Sequence, residues 1–309
     1  MRVLVTGGAG FIGSHVVDAY VGAGHRVTVV DNLSSGKKAN LNSEARFVKA
    51  DIQGAGLVRL FRKEKFDVVN HHAAQMDVRR SVADPLFDAR VNVLGLLNLL
   101  ELSRAHGVKK FIFAASGGTY YGECRRPAIE SDPPRPLSPY GVTKLAGEHY
   151  LRTYRALHGL PFTVLRYGNV YGPRQDPHGE AGVVAIFCHR LLAGEPAFIY
   201  GNGRQMRDYV YVSDVVRANV AALSKGEGES INIGTGKPTD VHRLFKVLRS
   251  CHPGPSSFEP KPARPGELFR SVLNISKAAR VLGWKPTVGL ADGLAKTYAH
   301  IRSVGKPID

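Results

Sequence analysis

The stretch Val3-Leu4-Val5-Thr6-Gly7-Gly8-Ala9-Gly10-Phe11-Ile12-Gly13 decides the fold of this chain. Its first four residues are apolar or β-branched and predict a buried strand, while the glycines predict a sharp turn that opens into a helix. Such a turn lets a phosphate approach the backbone, and the N–H groups and dipole of the helix favour its negative charge. The spacing fits Gly7, Gly10 and Gly13 as well as Gly8, Gly10 and Gly13. The stretch therefore predicts a phosphate-binding turn in either of two frames.

An acidic residue follows the second predicted strand, about 20 residues beyond the glycine turn. Residues 27–30 are all β-branched, and Asp31 comes directly after them. In a dinucleotide-binding unit, a carboxylate at this position accepts hydrogen bonds from the adenosine ribose and repels a 2′-phosphate. We therefore expect NAD, and not NADP, as the cofactor. The residues expected to hold it here are Gly7, Gly10, Phe11, Ile12, Gly13 and Asp31.

Short β-branched runs alternate with stretches of helical period through the first half of the chain. This alternation is typical of an α/β fold, a Rossmann-like doubly wound parallel sheet with helices on both faces. The predicted strands are residues 2–6, 26–30, 46–49, 67–70, 110–114 and 162–166. From residue 171 onward, glycine- and proline-rich connections indicate a smaller mixed α/β lobe. We expect an NAD-binding domain over 1–170 and mainly a substrate-binding lobe over 171–309, with the chain crossing between them.

The composition excludes several classes of protein. With 309 residues, 43% of them hydrophobic, the chain can bury a sizeable core. Its net charge of +16 favours an anionic partner, but the basic residues are scattered and fit a solvated surface. Cys124, Cys188 and Cys251 have no zinc or disulfide spacing. No signal peptide and no run of ~18 apolar residues is found, so we expect a cytoplasmic protein without a metal site, membrane association or nucleic-acid partner.

A tyrosine and a lysine lie four residues apart in Tyr140-Gly141-Val142-Thr143-Lys144, just after Pro139. Proline favours the first turn of a helix, and residues four apart share one helix face, so both side chains can address one cavity. A phenol with an ordinary pKa of about 10 is a poor base, but a nearby cation stabilises the phenolate. Tyr140 is therefore a candidate general base for a substrate hydroxyl, assisted by Lys144.

With these motifs in hand, the chain resembles the extended short-chain dehydrogenase/reductases, the NAD-dependent epimerases and dehydratases, and within them the bacterial UDP-glucose 4-epimerases. The resemblance runs nearly from end to end of the chain and implies a UDP-sugar substrate. It rests also on the motifs Asp31-Asn32-Leu33, Asp51-Ile52, His72-Ala73-Ala74-Gln75, Asn92, Ser116 to Gly122, Arg166 to Gly172, Arg207-Asp208-Tyr209-Val210 and Arg264-Pro265-Gly266-Glu267.

The resemblance implies roles for individual residues. The further residues that it assigns to the cofactor are Asn32, Asp51, Ile52, Ala73, Ala74, Gln75 and Asn92, with Asp51 and Ile52 beside the adenine. The residues that match positions holding the nucleoside diphosphate are Asn169, Arg207, Arg264 and Glu267. A guanidinium fork suits a diphosphate, and a carboxylate suits ribose hydroxyls. The position of Ser271 borders the 2-substituent of the sugar, where a bulky tyrosine accompanies exclusion of N-acetyl sugars.

One loop departs from the family pattern. Counting back from Tyr121-Gly122 puts Gly117 where the family usually has a catalytic serine or threonine. Ser116 is the first candidate to supply this hydroxyl, and Thr119 is the second. The loop also lacks the acidic pair that related dehydratases use for elimination, so loss of water from the sugar is not expected. His71 and His72 have no metal-ligand spacing and are interpreted as structural.

The motifs together favour a UDP-hexose 4-epimerase that works through a transient 4-keto sugar. Tyr140 would take the proton of the 4-hydroxyl while hydride passes from C4 to NAD⁺, and return of hydride to the other face inverts C4. A UDP-N-acetylhexosamine or UDP-uronate 4-epimerase is an alternative with the same chemistry. A nucleotide-sensing or RNA-binding protein on this fold is an alternative of another class. The family commonly forms homodimers through helices, here residues 85–106 and 139–158.

Overall fold

A parallel sheet of seven strands forms the centre of the structure, a computed structural model that describes residues 1–177, 182–264 and 267–304. The described strands are β1 (Arg2–Thr6), β2 (Arg26–Asp31), β3 (Arg46–Lys49), β4 (Val68–His71), β5 (Lys110–Ser116), β6 (Phe162–Tyr167), β7 (Asn169–Tyr171), β8 (Ala197–Tyr200), β9 (Met206–Tyr211), β10 (Glu229–Ile233), β11 (Pro238–Asp240), β12 (Phe258–Lys261) and β13 (Arg270–Ser271). The described α-helices are α1 (Phe11–Gly22), α2 (Leu57–Glu64), α3 (Val78–Ala83), α4 (Pro85–Ala89), α5 (Gly95–Ala105), α6 (Gly117–Tyr120), α7 (Pro139–His158), α8 (Val183–Ala193), α9 (Val212–Ala222), α10 (Val241–Cys251), α11 (Ser276–Leu282) and α12 (Leu290–Val304). A 3₁₀ turn lies at Lys38–Asn40, and a π-helical turn at Arg90–Leu94 joins α4 to α5.

The central sheet has the strand order β10-β6-β5-β4-β1-β2-β3, and all of its strands are parallel. The six strands predicted from the sequence are all in this sheet, each within two residues of its predicted bounds. The predicted α/β doubly wound fold is therefore confirmed. The seventh strand, β10, has no counterpart among the predicted strands. The division at residue 170 stays a prediction, but residues 212–233 return to this sheet with α9 and β10.

Helices cover both faces of the sheet because its strands bury side chains on both sides. In β1, Val3 and Val5 pack among residues of α1, α9 and α11, whereas Leu4 packs among residues of α2, α5 and α7. None of these three side chains has exposed surface. Full burial of such a side chain contributes roughly 1.5–3 kcal/mol to folding. This two-sided burial explains why the strands of a parallel sheet are nearly continuous apolar runs.

The strand order reverses beside β1 and creates a crevice at the carboxyl ends of the strands. The chain runs from β1 through β2 to β3 on one side, and through β4, β5 and β6 on the other. Ligands of open α/β sheets bind at such a reversal. The glycine turn follows β1, and the N–H of His72 after β4 donates to the carbonyl of Thr6 at 3.0 Å. These two segments therefore flank the crevice.

A buried carboxylate joins the second lobe to the central sheet. In this lobe β9 pairs with β7, β11 and β13, β8 pairs with β12, and helices α8, α10 and α12 share a separate apolar core. Asp208 of β9 is 1% exposed and accepts hydrogen bonds from the N–H groups of Thr235, Gly236 and Leu273 and from the Thr235 hydroxyl, at 2.6 to 3.2 Å. Burial raises the pKa of Asp208, and these hydrogen bonds oppose the rise. The turn after β10 is thereby fixed to β9.

A buried ion pair ties α7 to the central sheet. Glu148 of α7 and Arg166 of β6 are both 2% exposed and form two hydrogen bonds of 2.7 Å. The Arg166 guanidinium also donates to the Tyr121 hydroxyl at 2.6 Å and lies 3.7 Å from the centre of the Tyr120 ring. One guanidinium therefore holds α7, β6 and the segment after α6 together.

Breaking this ion pair should destabilise the fold. We expect Glu148→Gln to lower the free energy of unfolding by about 3–5 kcal/mol, because the Arg166 charge stays buried without its partner. Glu227→Gln is the matched control, since Glu227 is 60% exposed and pairs with Arg155 of the same helix at the surface. It should cost less than about 1 kcal/mol. Urea denaturation followed by circular dichroism measures both values, and equal losses would contradict the prediction.

Candidate active site

A cleft of about 1420 Å³ runs along the carboxyl ends of the central strands and extends to the second lobe. The glycine turn and the residues after β2 and β3 line one end of it. Tyr140 and Lys144 line the middle, and Arg207, Arg264 and Glu267 line the far end. The fold therefore brings most of the residues predicted for cofactor, proton transfer and substrate into one cavity, with Gln75, Asn92 and Ser271 as exceptions.

The glycine turn has no room for side chains. Gly7 has a φ of +70°, and a Cβ there would lie 2.6 Å from a backbone nitrogen of the segment after β4. A Cβ on Gly13 would lie 2.2 Å from the carbonyl oxygen of Gly7. Gly7, Gly10 and Gly13 line the cleft, whereas a Cβ on Gly8 would lie 2.8 Å from a buried valine side chain of β2. The structure therefore favours the frame Gly7, Gly10 and Gly13.

The first turn of α1 has the features of an anion-binding site. The helix begins at Phe11 after Gly10, no side chain caps it, and its first turn contains no acidic residue. Phe11 and Ile12 line the cleft together with this turn. Uncapped N–H groups and the positive end of the helix dipole are the features that bind phosphate at helix N-termini. The turn therefore has the local geometry that phosphate binding requires, and its ligand stays a prediction.

The Asp31 carboxylate is held rigidly at the end of β2. It is 8% exposed, and its oxygens accept hydrogen bonds from the N–H groups of Ala9 and Leu33 at 3.0 and 2.8 Å. Each oxygen keeps a further lone pair for a ligand hydroxyl. A fixed carboxylate on the cleft wall can accept hydrogen bonds from ribose hydroxyls and repels a phosphate in their place.

Asn32, Asp51 and Ile52 line the cleft next to Asp31. The Asn32 amide donates to Asp51 Oδ2 at 2.9 Å. Partial burial raises the pKa of Asp51, but hydrogen bonds from the Gln53 N–H and the Asn32 amide outweigh it and leave this pKa below its usual value. Asp51 is therefore charged at neutral pH.

Two residues predicted to bind the cofactor lie behind the cleft wall. Ala73 and Ala74 line the cleft, but Gln75 and Asn92 are not among its lining residues. The Gln75 N–H donates to Asn92 Oδ1, and the Asn92 amide donates back to the Gln75 carbonyl, both at 2.9 Å. The π-helical turn at 90–94 carries Asn92 into this contact. Gln75 and Asn92 therefore brace the loop that presents Ala73 and Ala74.

Tyr140 and Lys144 share one wall of the cleft in the first turns of α7. The Ser138 hydroxyl caps this helix and accepts from the Gly141 N–H at 3.2 Å. Lys144 is 5% exposed, its Nζ donates to the Ala114 carbonyl at 2.9 Å, and it lies 5.8 Å from the centre of the Tyr140 ring. Burial lowers the pKa of Lys144 to about 8, and the charge of Asp88 opposes this fall. The phenol and the ammonium are thus neighbours, as the spacing predicts.

The two histidines after Asn70 are neutral. Burial, followed by the positive charge of Lys144, lowers the pKa of His71 well below its usual value and that of His72 to about 3. His71 Nδ1 lies 2.7 Å from the Thr6 hydroxyl, and His72 Nε2 lies 3.2 Å from the Tyr167 hydroxyl. Both rings therefore act as hydrogen-bonded packing groups that add no charge beside Lys144.

The loop after β5 has a steric reason for Gly117. A Cβ there would lie 2.7 Å from a methyl group of Leu273 and 3.2 Å from the Tyr167 carbonyl. Ser116 and Thr119 both line the cleft. The Thr119 hydroxyl oxygen is buried and has no hydrogen-bond partner among the described residues, whereas Ser116 is half-buried and does not cap α6. Two neighbouring residues can therefore supply the hydroxyl expected at position 117, and the Ser116 side chain is more accessible than the Thr119 hydroxyl.

The far end of the cleft carries charged and aromatic side chains. Arg207 Nη2 lies 3.3 Å from Glu267 Oε1, and the Arg264 guanidinium lies 3.8 Å from the centre of the Tyr200 ring. Asn169 also lines the cleft. Pro265 and Gly266 of the predicted motif lie outside the described residues. The guanidinium groups suit an anionic ligand, and the Tyr200 ring provides an apolar face.

Ser271 lies behind the cleft wall and not on it. The residue is 6% exposed and absent from the lining residues, and its hydroxyl donates to the Gly118 carbonyl at 3.3 Å. Gly118 itself lines the cleft. Ser271 can therefore influence the cleft only through its volume and through its contact with this loop.

Sequence reasoning missed three residues at this site. Asp88 and Thr143 lie in segments interpreted only as helices, and their hydrogen bond behind Lys144 joins α4 to α7 at 2.9 Å. A signal for Asp88 is present, since Asp88 and Asn92 are polar residues four apart in the stretch 85–94, where Arg90 is the one other polar residue. Tyr200 precedes the turn 201–203 and carries no motif that marks it.

The described residues contain neither a cluster of metal ligands nor a helix that could span a membrane. Within 1–177, 182–264 and 267–304, no group of three or more His, Cys, Asp or Glu side chains could hold a metal ion. In the same part of the chain, no helix is long and apolar enough to cross a membrane.

Comparison with known proteins identifies the family. The model of the NAD dependent epimerase/dehydratase family matches residues 3–234. The UDP-glucose 4-epimerase of Mycolicibacterium smegmatis is 48% identical over 98% of this chain and 99% of its own length. The crystal structure of a UDP-glucose 4-epimerase with UDP-glucose from Thermotoga maritima is 50% identical, with a TM-score of 0.95, over 98% of this chain and 99% of that chain. The UDP-glucose 4-epimerase of Thermus thermophilus in complex with NAD is 46% identical, with a TM-score of 0.95, over 99% of this chain and 100% of that chain. This chain therefore belongs to the NAD dependent epimerase/dehydratase family.

Proposed function

We propose that this protein is a UDP-glucose 4-epimerase, which interconverts UDP-glucose and UDP-galactose by inverting C4 of the sugar. The observation that carries the proposal is one continuous cleft with a tyrosine–lysine pair between a dinucleotide site and two arginines. The names of relatives at 46 to 50% identity over nearly the whole chain support the same activity. The reaction is an isomerisation, so the protein acts on the sugar nucleotide without net oxidation.

The residues at the sheet end fit NAD. The close approach of Gly7 and Gly13 leaves a cradle that any Cβ would fill, and the uncapped start of α1 suits the pyrophosphate. Asp31 suits the hydroxyls of the adenosine ribose, with Asn32, Asp51 and Ile52 beside the adenine. When bound, NAD⁺ supplies the acceptor and later the donor of the hydride at C4. Because Asp31 repels a 2′-phosphate, NAD is the form that the site accepts.

Tyr140 is the proton acceptor for the 4-hydroxyl of the sugar. Its phenolate is stabilised by the neighbouring Lys144 ammonium, whose pKa burial lowers to about 8. Lys144 is therefore mostly charged at neutral pH, and this support is lost as the pH rises through that value. Ser116 lines the same part of the cleft and donates a hydrogen bond to the 4-oxygen, with Thr119 as the second candidate.

The nucleotide is anchored at the far end of the cleft. Arg207 and Arg264 bind the diphosphate through their guanidinium groups, while Glu267 and Asn169 bind ribose and diphosphate groups. Glu267 pairs with Arg207 at 3.3 Å, and this contact holds both side chains at the cleft. An anchor on the nucleotide leaves the 4-keto sugar free to rotate and present its other face.

The protein acts as a cytoplasmic homodimer in this proposal. Exposed apolar side chains cluster on the two helical segments predicted for the interface, with Leu86, Leu94, Val142 and Leu157 between 51% and 71% exposed. A second copy of this surface would cover them, as in isologous dimers. The three cysteines are free, which suits a reducing compartment.

Replacing the proposed base should abolish turnover while leaving binding largely intact. We expect Tyr140→Phe to lower kcat by at least about 10²-fold, with KM for UDP-glucose within a few fold, because the hydroxyl acts mainly in the transition state. Tyr150→Phe on the same helix is the matched control, since Tyr150 is 36% exposed and lies outside the cleft. Proton NMR of UDP-glucose and UDP-galactose follows the reaction. A Tyr140→Phe enzyme with more than about a tenth of wild-type kcat would refute the base assignment.

The two candidate hydroxyls should differ in importance. We expect Ser116→Ala to lower kcat by roughly 10²-fold and more than Thr119→Ala does, because the loss of a hydrogen-bond donor at the reacting oxygen costs about this much. The Thr119 oxygen is buried from the cleft solvent, which makes it the less accessible donor. The same NMR assay measures both variants. A larger effect of Thr119→Ala would move the role to Thr119.

The small side chain of Ser271 should widen the choice of sugar. We expect measurable epimerisation of UDP-N-acetylglucosamine, and we expect Ser271→Tyr to lower kcat/KM for this substrate roughly tenfold or more relative to UDP-glucose. The added ring would take up space behind Gly118 at the sugar end. Phe269→Tyr is the control, because Phe269 is 52% exposed. Failure of the wild type to accept the N-acetyl sugar would reject this specificity but not the 4-epimerase proposal.

A further inference from the structure

Asp88 is a buried carboxylate without a basic partner. It lies in α4 with no exposed surface, and none of the salt bridges among the described residues involves it. Its Oδ1 accepts hydrogen bonds from the side-chain amides of Gln75 and Asn92, both at 3.0 Å, and its Oδ2 accepts from the Thr143 hydroxyl at 2.9 Å. All three partners donate, which suits an ionised carboxylate with acceptors on both oxygens. Burying an unpaired charge is costly, so its presence calls for a compensating positive charge nearby.

The Thr143 hydroxyl connects Asp88 to the tyrosine–lysine pair. Thr143 immediately precedes Lys144, and its Oγ1 also lies 2.9 Å from the Tyr140 carbonyl. Asp88 therefore sits against the helical turn that carries both side chains. Its negative charge opposes the desolvation of Lys144 across this turn. In a water-excluded interior, such an interaction remains substantial beyond hydrogen-bond distance.

The other ionisable groups around Lys144 do not supply this negative charge. From β4, His71 and His72 are neutral because burial and the Lys144 charge lower their pKa. One turn further along α7, Glu148 is neutralised by Arg166. The other acidic groups on or beside the elements packed against α7 have other partners: Glu101 of α5 pairs with Arg104 and accepts from Tyr154, and the α3 cap Asp77 accepts from the Arg80 N–H. The basic groups of these elements lie at the surface or are engaged elsewhere: Arg79, Arg80 and Arg90 are exposed, and Lys110 donates to the Lys225 carbonyl. Tyr120 lies against Arg166, and the Tyr167 hydroxyl accepts from Asn219.

We propose that Asp88 is a positioning residue, whose buried negative charge, applied across Thr143, keeps Lys144 as the ammonium that the Tyr140 phenolate requires. The inference deepens the proposed 4-epimerase function and rests on it for its role in turnover. Gln75 and Asn92 stabilise the loop after β4, and their side-chain amides also hold the Asp88 carboxylate in place through hydrogen bonds. The acid acts through Lys144 and does not itself touch the cleft.

Asp88→Asn removes the charge and preserves the hydrogen bonds. The new amide oxygen can accept from Gln75 and Asn92, and the new NH₂ can donate to Thr143, whose own proton goes to the Tyr140 carbonyl. We expect the pKa of Lys144 to fall by roughly one unit from its value of about 8. The alkaline limb of the kcat–pH profile should move by the same amount to lower pH, because activity is lost as Lys144 deprotonates. A merely structural role would lower kcat at every pH without moving this limb.

Three further variants test whether the shift of the alkaline limb comes from the charge of Asp88 acting on Lys144. Asp84→Asn removes the exposed charge at the cap of the same helix, where asparagine caps equally well, and should leave the limb in place. In a Lys144→Arg background, the cation stays charged throughout, so adding Asp88→Asn should no longer move the limb. Asp88→Ser is a second neutral variant and should shift the limb in the same direction even if Asp88→Asn folds poorly.

A direct titration separates this inference from the proposed function. Carbon-13 NMR of protein labelled at the lysine ε-carbons follows Lys144, whose signal is the one lost in Lys144→Arg, and requires no turnover. The inference is supported if the titration midpoint of Lys144 lies about one pH unit lower in a folded neutral variant of Asp88 than in the wild type. A midpoint unchanged within ~0.3 units, or an equal shift in Asp84→Asn, overturns it. If the wild type does not interconvert UDP-glucose and UDP-galactose, the proposed function fails while this titration still decides the interaction.

Discussion

The buried ion pair between Glu148 and Arg166 is the interaction on which the site depends. Glu148 lies one turn beyond Lys144 on α7, so a guanidinium fixed in β6 sets the height of the whole helix above the sheet. The same guanidinium stacks on Tyr120 and bonds Tyr121, which follow the loop with the candidate hydroxyls. Helix α7 and the segment at Tyr120 and Tyr121 flank the catalytic part of the cleft. Because both contact the planar Arg166 guanidinium, its geometry constrains the distance between them.

The site controls charge by burying some ionisable groups in neutral form. Lys144 is almost fully buried, and a lysine in such a place tends to lose its proton. Protonated histidines at positions 71 and 72 would increase that tendency, but desolvation and the Lys144 charge lower the pKa of both rings and keep them neutral. Among the described residues, the buried charge of Asp88 acts on Lys144 in the opposite direction. The protonation state of the pair therefore reflects a balance among groups that lie behind the cleft wall.

The two ends of the cleft are built by different physical means. At the sheet end, the glycine turn after β1 packs closely against the segment after β4. Because Gly7 and Gly13 have no side chains, room is left for a ligand at the start of α1. At the far end, side chains of the second lobe provide charge, and Asp208 fixes that lobe through four hydrogen bonds. Arg207 and Asp208 are neighbours in β9, and the alternation of a strand turns one toward the cleft and the other into the interior.

The sequence by itself determined the fold class, six of the seven central strands, the glycine turn, Asp31 and the pairing of Tyr140 with Lys144. These features depend on residues close together in the chain, and the periods of strands and helices are local. Only the tertiary structure decided which glycine frame faces the cleft, why Leu273 excludes a side chain at Gly117, and that Gln75 and Asn92 stand behind the wall with Asp88. It also decided that residues 229–233 complete the sheet. Each of these depends on contacts between residues distant in sequence, whose distances and burial no local pattern specifies.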